Sequence, residues 1–219
     1  MVFNKACEPG REEKNLCPGG NEFIMAPEDL LEKANSGDSQ AQYELGWMFS
    51  NTALGREGKA GTAEESHSRP QHRLECGFLD GGEENGKEAV KWFRKAAEKE
   101  YEPAELCLGD CYFWGNGVQR DSGEAFRWYR KAARHGNVRS QFMVGICFQK
   151  GFGVKADELE AVKWFLLAAG RDCPEATYAL AQCYREGTGV IQDGEEALGW
   201  LRKAADLGHE EAKRQLHRQ

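Results

Sequence analysis

The sequence predicts an all-α protein, a solenoid of antiparallel helix pairs built on a 36-residue period. Three observations predict it. Trp128, Trp164 and Trp200 stand 36 residues apart, and Trp92 extends the series backwards. The text around each recurs: Ala125-Phe-Arg-Trp128-Tyr-Arg-Lys-Ala132-Ala133, Ala161-Val-Lys-Trp164-Phe-Leu-Leu-Ala168-Ala169 and Ala197-Leu-Gly-Trp200-Leu-Arg-Lys-Ala204-Ala205. A Gly-x-Gly-Val string, at Gly115, Gly151 and Gly187, keeps the same interval. A fixed period of about 20–50 residues marks an array of stacked units, each of which buries its apolar face on its neighbours.

The elements follow in order. Residues 1–25 are expected to be a disordered tail. Residues 26–40, containing Pro27-Glu-Asp-Leu-Leu-Glu-Lys-Ala34-Asn-Ser-Gly37, resemble a second helix without its tryptophan and predict an N-terminal cap. Unit 41–103 starts with Ala41-Gln-Tyr-Glu-Leu-Gly-Trp-Met-Phe49 and resumes at Asn85-Gly-Lys-Glu88-Ala89-Val-Lys-Trp92. Its Ala41-to-Ala104 interval is 63 rather than 36, which leaves 27 extra residues. These form an insert at about 50–77, rich in Gly, Ser, Glu, His and Arg and without periodicity, expected to be a long mobile loop. Three complete units follow at 104–139, 140–175 and 176–211, and residues 212–219 form a polar C-terminal cap helix.

Within a unit, apolar residues at offsets 2, 4, 7 and 8 of the first segment fall on one helical face. Pro103 and Pro174 suit a first helical turn, where no amide hydrogen is needed. Glycine after the segment supplies the left-handed closing residue. Asp121, Asp157 and Asp193 are expected to cap the second helix, each with a glutamate three residues on (Glu124, Glu160, Glu196) in a capping-box arrangement. The second helix is expected to end near Gly136, Gly170 and Gly208. Its tryptophan reads as the filler between helices, beside small alanines that let neighbours approach.

Composition narrows the function. Forty per cent hydrophobic and 30% charged residues, with a net charge of −7, speak against the basic face that nucleic acid requires. No stretch approaches the ~18 apolar residues of a membrane span. The N-terminus has no apolar h-region and carries acids early, so it reads as neither a secretory signal nor a transit peptide, and the expected compartment is the cytoplasm.

Eight cysteines are present, and Cys111, Cys147 and Cys183 occupy one equivalent position in three units. Equivalent positions lie about a helix spacing of ~10 Å apart, beyond the ~7 Å that a disulfide allows. They read as small buried hydrophobes. His67, His72 and Cys76, with Cys7 or Cys17, offer metal-ligand types at a spacing that fits no structural zinc pattern, so no metal is expected there. The Gly-x-Gly turns lack the Gly-Lys-Ser/Thr of a phosphate loop and follow no strand. No nucleophile elbow or acid–base pair stands outside the repeat, and neither an enzyme nor a cofactor site is expected.

The string Ala-x-x-x-Leu-Gly-x-x-Tyr-x-x-Gly-x-Gly-Val-x-x-Asp-x-x-x-Ala-x-x-Trp-x-x-Lys-Ala-Ala-x-x-Gly resembles the Sel1-like repeat, a relative of the tetratricopeptide repeat. Unit 104–139 matches nearly every position. Unit 140–175 departs at Ser140, Val144, Phe148 and Leu167, and unit 176–211 at Ala181. The resemblance implies a right-handed α-solenoid that acts as a protein-interaction scaffold or adaptor. One subset of the family is secreted and disulfide-stapled, with a regular cysteine pair in each unit; here the constant cysteine has no equally constant mate. By analogy with the tetratricopeptide register, the concave face is expected to present Trp47, Asp110, Phe113, Trp114, Ile146, Gln149, Lys150, Gln182, Arg185 and Glu186 to a peptide or protein partner. Trp47 and Trp114 break the ladder and resemble hot-spot aromatics, while packing under the insert (Trp47) or on the next unit (Trp114) is an equal alternative. A secreted or surface-acting effector, or a cell-wall-directed hydrolase-like protein, is the competing reading.

Overall fold

The computed structural model describes residues 27–51 and 83–217. The expected tail, residues 52–77 of the expected insert, and His67, His72, Cys76, Cys7 and Cys17 all lie outside them. Among the described residues there are ten helices and no strand: α1 (Glu28–Ser36), α2 (Ser39–Asn51), α3 (Glu83–Glu98), α4 (Glu102–Trp114), α5 (Ser122–Arg134), α6 (Val138–Lys150), α7 (Glu158–Ala169), α8 (Pro174–Glu186), α9 (Gly194–Asp206) and α10 (Glu210–His217). Ser50 therefore belongs to α2, where its hydroxyl donates to the Trp47 carbonyl, rather than to the insert. Each helix packs on the one before and the one after it, α2 on α3, α3 on α4 and so through the chain, which gives an all-α solenoid.

In three of the four pairs, a glycine of the first helix faces an aromatic ring of the second. A Cβ added at Gly46, Gly109 or Gly145 would come within 2.5–2.6 Å of the rings of Phe93, Tyr129 and Phe165. Those three rings are fully buried. The last unit changes both partners together: Ala181 stands where the others have glycine, and Leu201 where they have a ring. The smaller leucine leaves room for the extra methyl.

This corrects the expected role of the tryptophans. The filler inside each pair is the residue after the tryptophan. Trp92 is buried, but Trp128, Trp164 and Trp200 are half-buried and pack across the seam onto the core of the preceding unit. The double alanines (Ala96/Ala97, Ala132/Ala133, Ala168/Ala169) are buried in the same clusters or beside them.

The turns carry the second set of constraints. Gly115, Gly151 and Gly187 close the first helices in the left-handed conformation. The amide hydrogens of these glycines donate to the carbonyls of Cys111, Cys147 and Cys183. The second glycine of each turn sits on the backbone of the preceding unit: Gly117 on Gly86, Gly153 on Ser122 and Gly189 on Glu158, so closely that a Cβ would overlap a carbonyl.

Asp121, Asp157 and Asp193 accept from the amide hydrogens at the start of the second helix, as expected of N-caps. The reciprocal half of the capping box is not made. The amide hydrogens of the three aspartates donate instead to the carbonyls of Tyr112, Phe148 and Tyr184. This frees Glu124 and Glu160 to pair with Arg127 and Lys163. At the far end, the left-handed position falls on Glu100, Gly136, Asp172 and Gly208, again 36 apart. Gly170 is ordinary right-handed helix, two residues early, so it is not the counterpart of Gly136.

The five described cysteines are buried, and no disulfide joins them. Burial pushes the Cys147 thiol up to about 12 and those of Cys173 and Cys183 up to about 11, and it holds Cys111 well above its ordinary value. Thiolate chemistry at neutral pH is thereby suppressed.

The glycine–ring contact is testable by a double-mutant cycle. Gly145→Ala alone overpacks the pair and lowers unfolding free energy by about 1–3 kcal/mol. Phe165→Leu alone leaves a void and is also destabilising. The double variant, which reproduces the Ala181–Leu201 arrangement, is expected to be more stable than the two single costs summed, with a coupling of about 0.5–3 kcal/mol in urea denaturation.

Candidate functional site

The first helices α4, α6 and α8 line a groove of about 850 Å³. Its floor is apolar: Phe113 and Trp114 from the end of α4, Val138, Phe142 and Ile146 from α6, and Tyr178 and Ala179 from α8. Phe113 and Trp114 meet edge to face at 4.9 Å, and Phe113 also meets Phe152 at 5.6 Å, which fixes the end of the groove. One rim carries Arg139, Arg171, Asp172, Glu175 and His209; the other carries Gln149, Lys150 and Glu186. Three bases thus stand against three acids, a balanced rim around an apolar floor.

The last turn before α10 supplies a fixed wall. His209 stacks on Tyr178 with ring centroids 4.2 Å apart and a 13° interplanar angle. Its Nδ1 accepts the Ala212 amide hydrogen and so caps α10, which requires that nitrogen to be unprotonated. Burial lowers the His209 pKa below its ordinary value, against the nearby carboxylates Glu175, Glu211 and Glu210, which act to raise it. Gln215 Nε2 donates to the Tyr178 hydroxyl at 2.8 Å. The tyrosine pKa is raised, first by burial.

Seven of the ten residues expected at the concave face line this groove: Phe113, Trp114, Ile146, Gln149, Lys150, Gln182 and Glu186. Three do not. Asp110 is 2% exposed; its Oδ1 accepts from the Tyr129 hydroxyl at 2.6 Å and its Oδ2 lies 3.7 Å from Arg139, so it braces α4 against α5 and α6. Arg185 lies off the groove, in a separate small crevice with Ala181, Leu198 and Gln215. Trp47 packs on the core between α3 and α4, edge to face with Tyr43 at 6.2 Å.

Sequence reasoning missed Phe142, Tyr178, Arg139, Arg171, Glu175 and His209. Phe142 and Tyr178 lie one helical turn before Ile146 and Gln182, so continuing those faces at i−4 would have found them. Arg171 and His209 come from the links between units, and no periodicity of the first helix points to them. Among the described residues, no cluster of His, Cys, Asp or Glu could hold a metal ion, and no helix is long and apolar enough to cross a membrane.

The family model of the Sel1 repeat matches residues 39–51, 73–101, 104–137, 138–172 and 174–209. The chain belongs to the Sel1-repeat family. Sel1-repeat proteins generally serve as scaffolds for protein–protein interaction. The chain is similar to a protective antigen of uropathogenic Escherichia coli strains that displays an SLR fold, with 35% identity and a TM-score of 0.70 over 88% of this chain and 36% of that one. It is also similar to a Sel1 repeat protein from Oxalobacter formigenes, with 30% identity and a TM-score of 0.67 over 84% of this chain and 65% of that one. The chain therefore spans about a third of the length of the first and under two thirds of the second. No curated protein matches the chain at a significant level.

The His209 cap has a pH signature. Its folded-state pKa lies below the ordinary ~6.5 of an unfolded histidine, so the unfolded chain takes up the proton first. The capping contribution is fully present above pH ~6.5 and is lost as pH falls through the lower folded value. On acidification from pH 7.5 to 5, hydrogen exchange at the Ala212 amide is expected to speed up relative to the α6 amides. His209→Asn, which caps without titrating, is expected to remove that difference.

Proposed function

We propose that this Sel1-repeat protein is a non-catalytic adaptor that holds a peptide or a segment of a protein along the groove of α4, α6 and α8. One observation carries the reading: half-buried apolar side chains from successive first helices form a continuous floor, packed on the core on one side and open to the groove on the other. Trp114, Phe142, Ile146 and Tyr178 offer anchoring surface of the kind that dominates binding energy. The rim supplies bases and acids for orienting polar contacts, and its balance of charge suits a polypeptide over a polyanion. Solid support beneath the floor comes from the Asp110–Tyr129–Arg139 brace.

Selection of a displayed random-peptide library on the purified chain tests this. Binders are expected to carry apolar side chains spaced to meet Trp114 and Ile146. Trp114→Ala and Ile146→Asp are each expected to weaken a selected peptide tenfold or more, roughly 1.4 kcal/mol or above, with unchanged helicity. Lys163→Glu, exposed on α7 and outside the groove, is expected to leave binding unchanged. Peptides that bind Ile146→Asp as well as the original chain would place the site elsewhere.

A secreted or surface-acting effector is the second reading, favoured by the similarity to the uropathogenic antigen. The constant cysteine of each unit has no equally constant mate, which speaks against the disulfide-stapled form of that reading. Fractionation of cells expressing the full chain separates the two settings.

A further inference from the structure

The outer face of the second helices breaks its pattern in one unit. On α3 that face carries Lys91, Arg94 and Lys95, all exposed; on α5 the matching residues are Arg127 and Arg130, exposed, and Lys131, half-buried, with the exposed Arg134 one turn beyond Arg130. On α7 the positions that match Arg94/Arg130 and Lys95/Lys131 are Leu166 and Leu167, 41% and 49% exposed. Leu159, 66% exposed, lies two turns earlier on the same face, at i, i+7 and i+8 with the other two. Ile191, 91% exposed, projects from the turn whose Gly189 sits on Glu158 at the start of α7. Four large apolar side chains therefore stand out from one surface, where isolated exposure would need no explanation but a cluster does.

The charges around the cluster say what it fits. The chain as a whole is acidic, at −7, yet the two second helices preceding α7 present a basic outer face. Acids do lie there: Glu88 pairs with Lys91, Glu124 pairs with Arg127 at 2.8 Å, and Glu84 and Glu98 are exposed at the ends of α3. Beside them, a crevice of about 470 Å³ next to Trp92 includes Lys91, Arg94 and Lys95 among its walls, with Glu88 and Glu98, and Lys95 Nζ sits 3.8 Å above the Trp92 ring. On the far side the acidic first turn of α9 (Glu195, Glu196) bounds the patch.

We propose that the outer face of α3, α5 and α7 docks peripherally on an anionic lipid surface, with the α7 leucines and Ile191 entering the interface and the α3 and α5 bases meeting headgroup phosphates. Protruding apolar side chains flanked by lysine and arginine are the requirement for interfacial binding. Nucleic acid would use the bases and leave the leucines idle. A bound peptide needs walls, which the α7 surface lacks and the groove on the opposite layer has. Docking through the outer face leaves that groove open, so lipid binding and peptide binding are independent of one another.

Co-sedimentation of the purified full chain with vesicles tests the proposal. Partition is expected into vesicles of phosphatidylcholine with about 30% phosphatidylserine, to fall at least tenfold in phosphatidylcholine alone, and to weaken as salt rises. The double substitution Leu166→Glu/Leu167→Glu and the triple substitution Arg127→Glu/Arg130→Glu/Arg134→Glu are each expected to lower it at least tenfold, with unchanged circular dichroism and unchanged affinity for a groove-selected peptide. No partition into anionic vesicles overturns the proposal, as does equal partition into both kinds. Light scattering that shows a dimer split by the leucine substitutions assigns the patch to a second copy instead. Binding to a short RNA that survives the leucine substitutions, without vesicle binding, assigns the basic face to nucleic acid.

Discussion

The structure depends on one close approach, made in three of the four helix pairs: the first helix gives up a side chain so that a buried ring from the second can lie against its backbone. Gly109 and Tyr129 show it, as do Gly145 and Phe165. A glycine inside a helix costs about 1 kcal/mol in propensity relative to alanine, and the ring that fills the space returns more than that in buried apolar surface. The exchange of both partners in the last unit, Ala181 with Leu201, shows that the constraint is on summed volume rather than on either residue.

With that contact occupying one side of each first helix, its other side is left to solvent and the next unit. The groove is the result. Its floor residues are Phe142 and Ile146 on α6 and Tyr178 and Ala179 on α8, with Phe142 also meeting the Phe165 ring at 5.9 Å. The second helices face the other way, and their outer residues answer to no packing rule. Chemistry on the two layers can therefore differ: apolar with a balanced rim on the inner one, basic and then leucine-rich on the outer one.

Much of this was legible in the text of the chain. The period marks the helix pairs, and the Asp121, Asp157 and Asp193 caps read correctly because a side-chain acceptor at a helix start acts locally. What failed was anything that depended on a partner distant in sequence. The glutamates of the capping box looked reciprocal, but the Tyr112, Phe148 and Tyr184 carbonyls had already taken the amides they would serve. The tryptophan looked like the core because it is the largest recurring residue, whereas its position on the seam leaves three of the four half-buried. Asp110 looked like surface because aspartate usually is; its hydroxyl and guanidinium partners lie 19 and 29 residues away in the chain. Seven of the ten residues expected at the concave face line one groove since they follow one helical face, and Arg171 and His209 were invisible since they belong to links.

The seating of Gly117, Gly153 and Gly189 on the backbone of the unit before has a consequence for how such a chain can lengthen. Each of those three turns is clamped between its own helices and a carbonyl behind it, so added residues there would unseat the neighbour. The 27 additional residues of the sequence fall in the first unit, between the segments of its two helices. Whole units can be added at a seam without touching such a turn, whereas residues added inside one of these three would push its second glycine off the backbone beneath it.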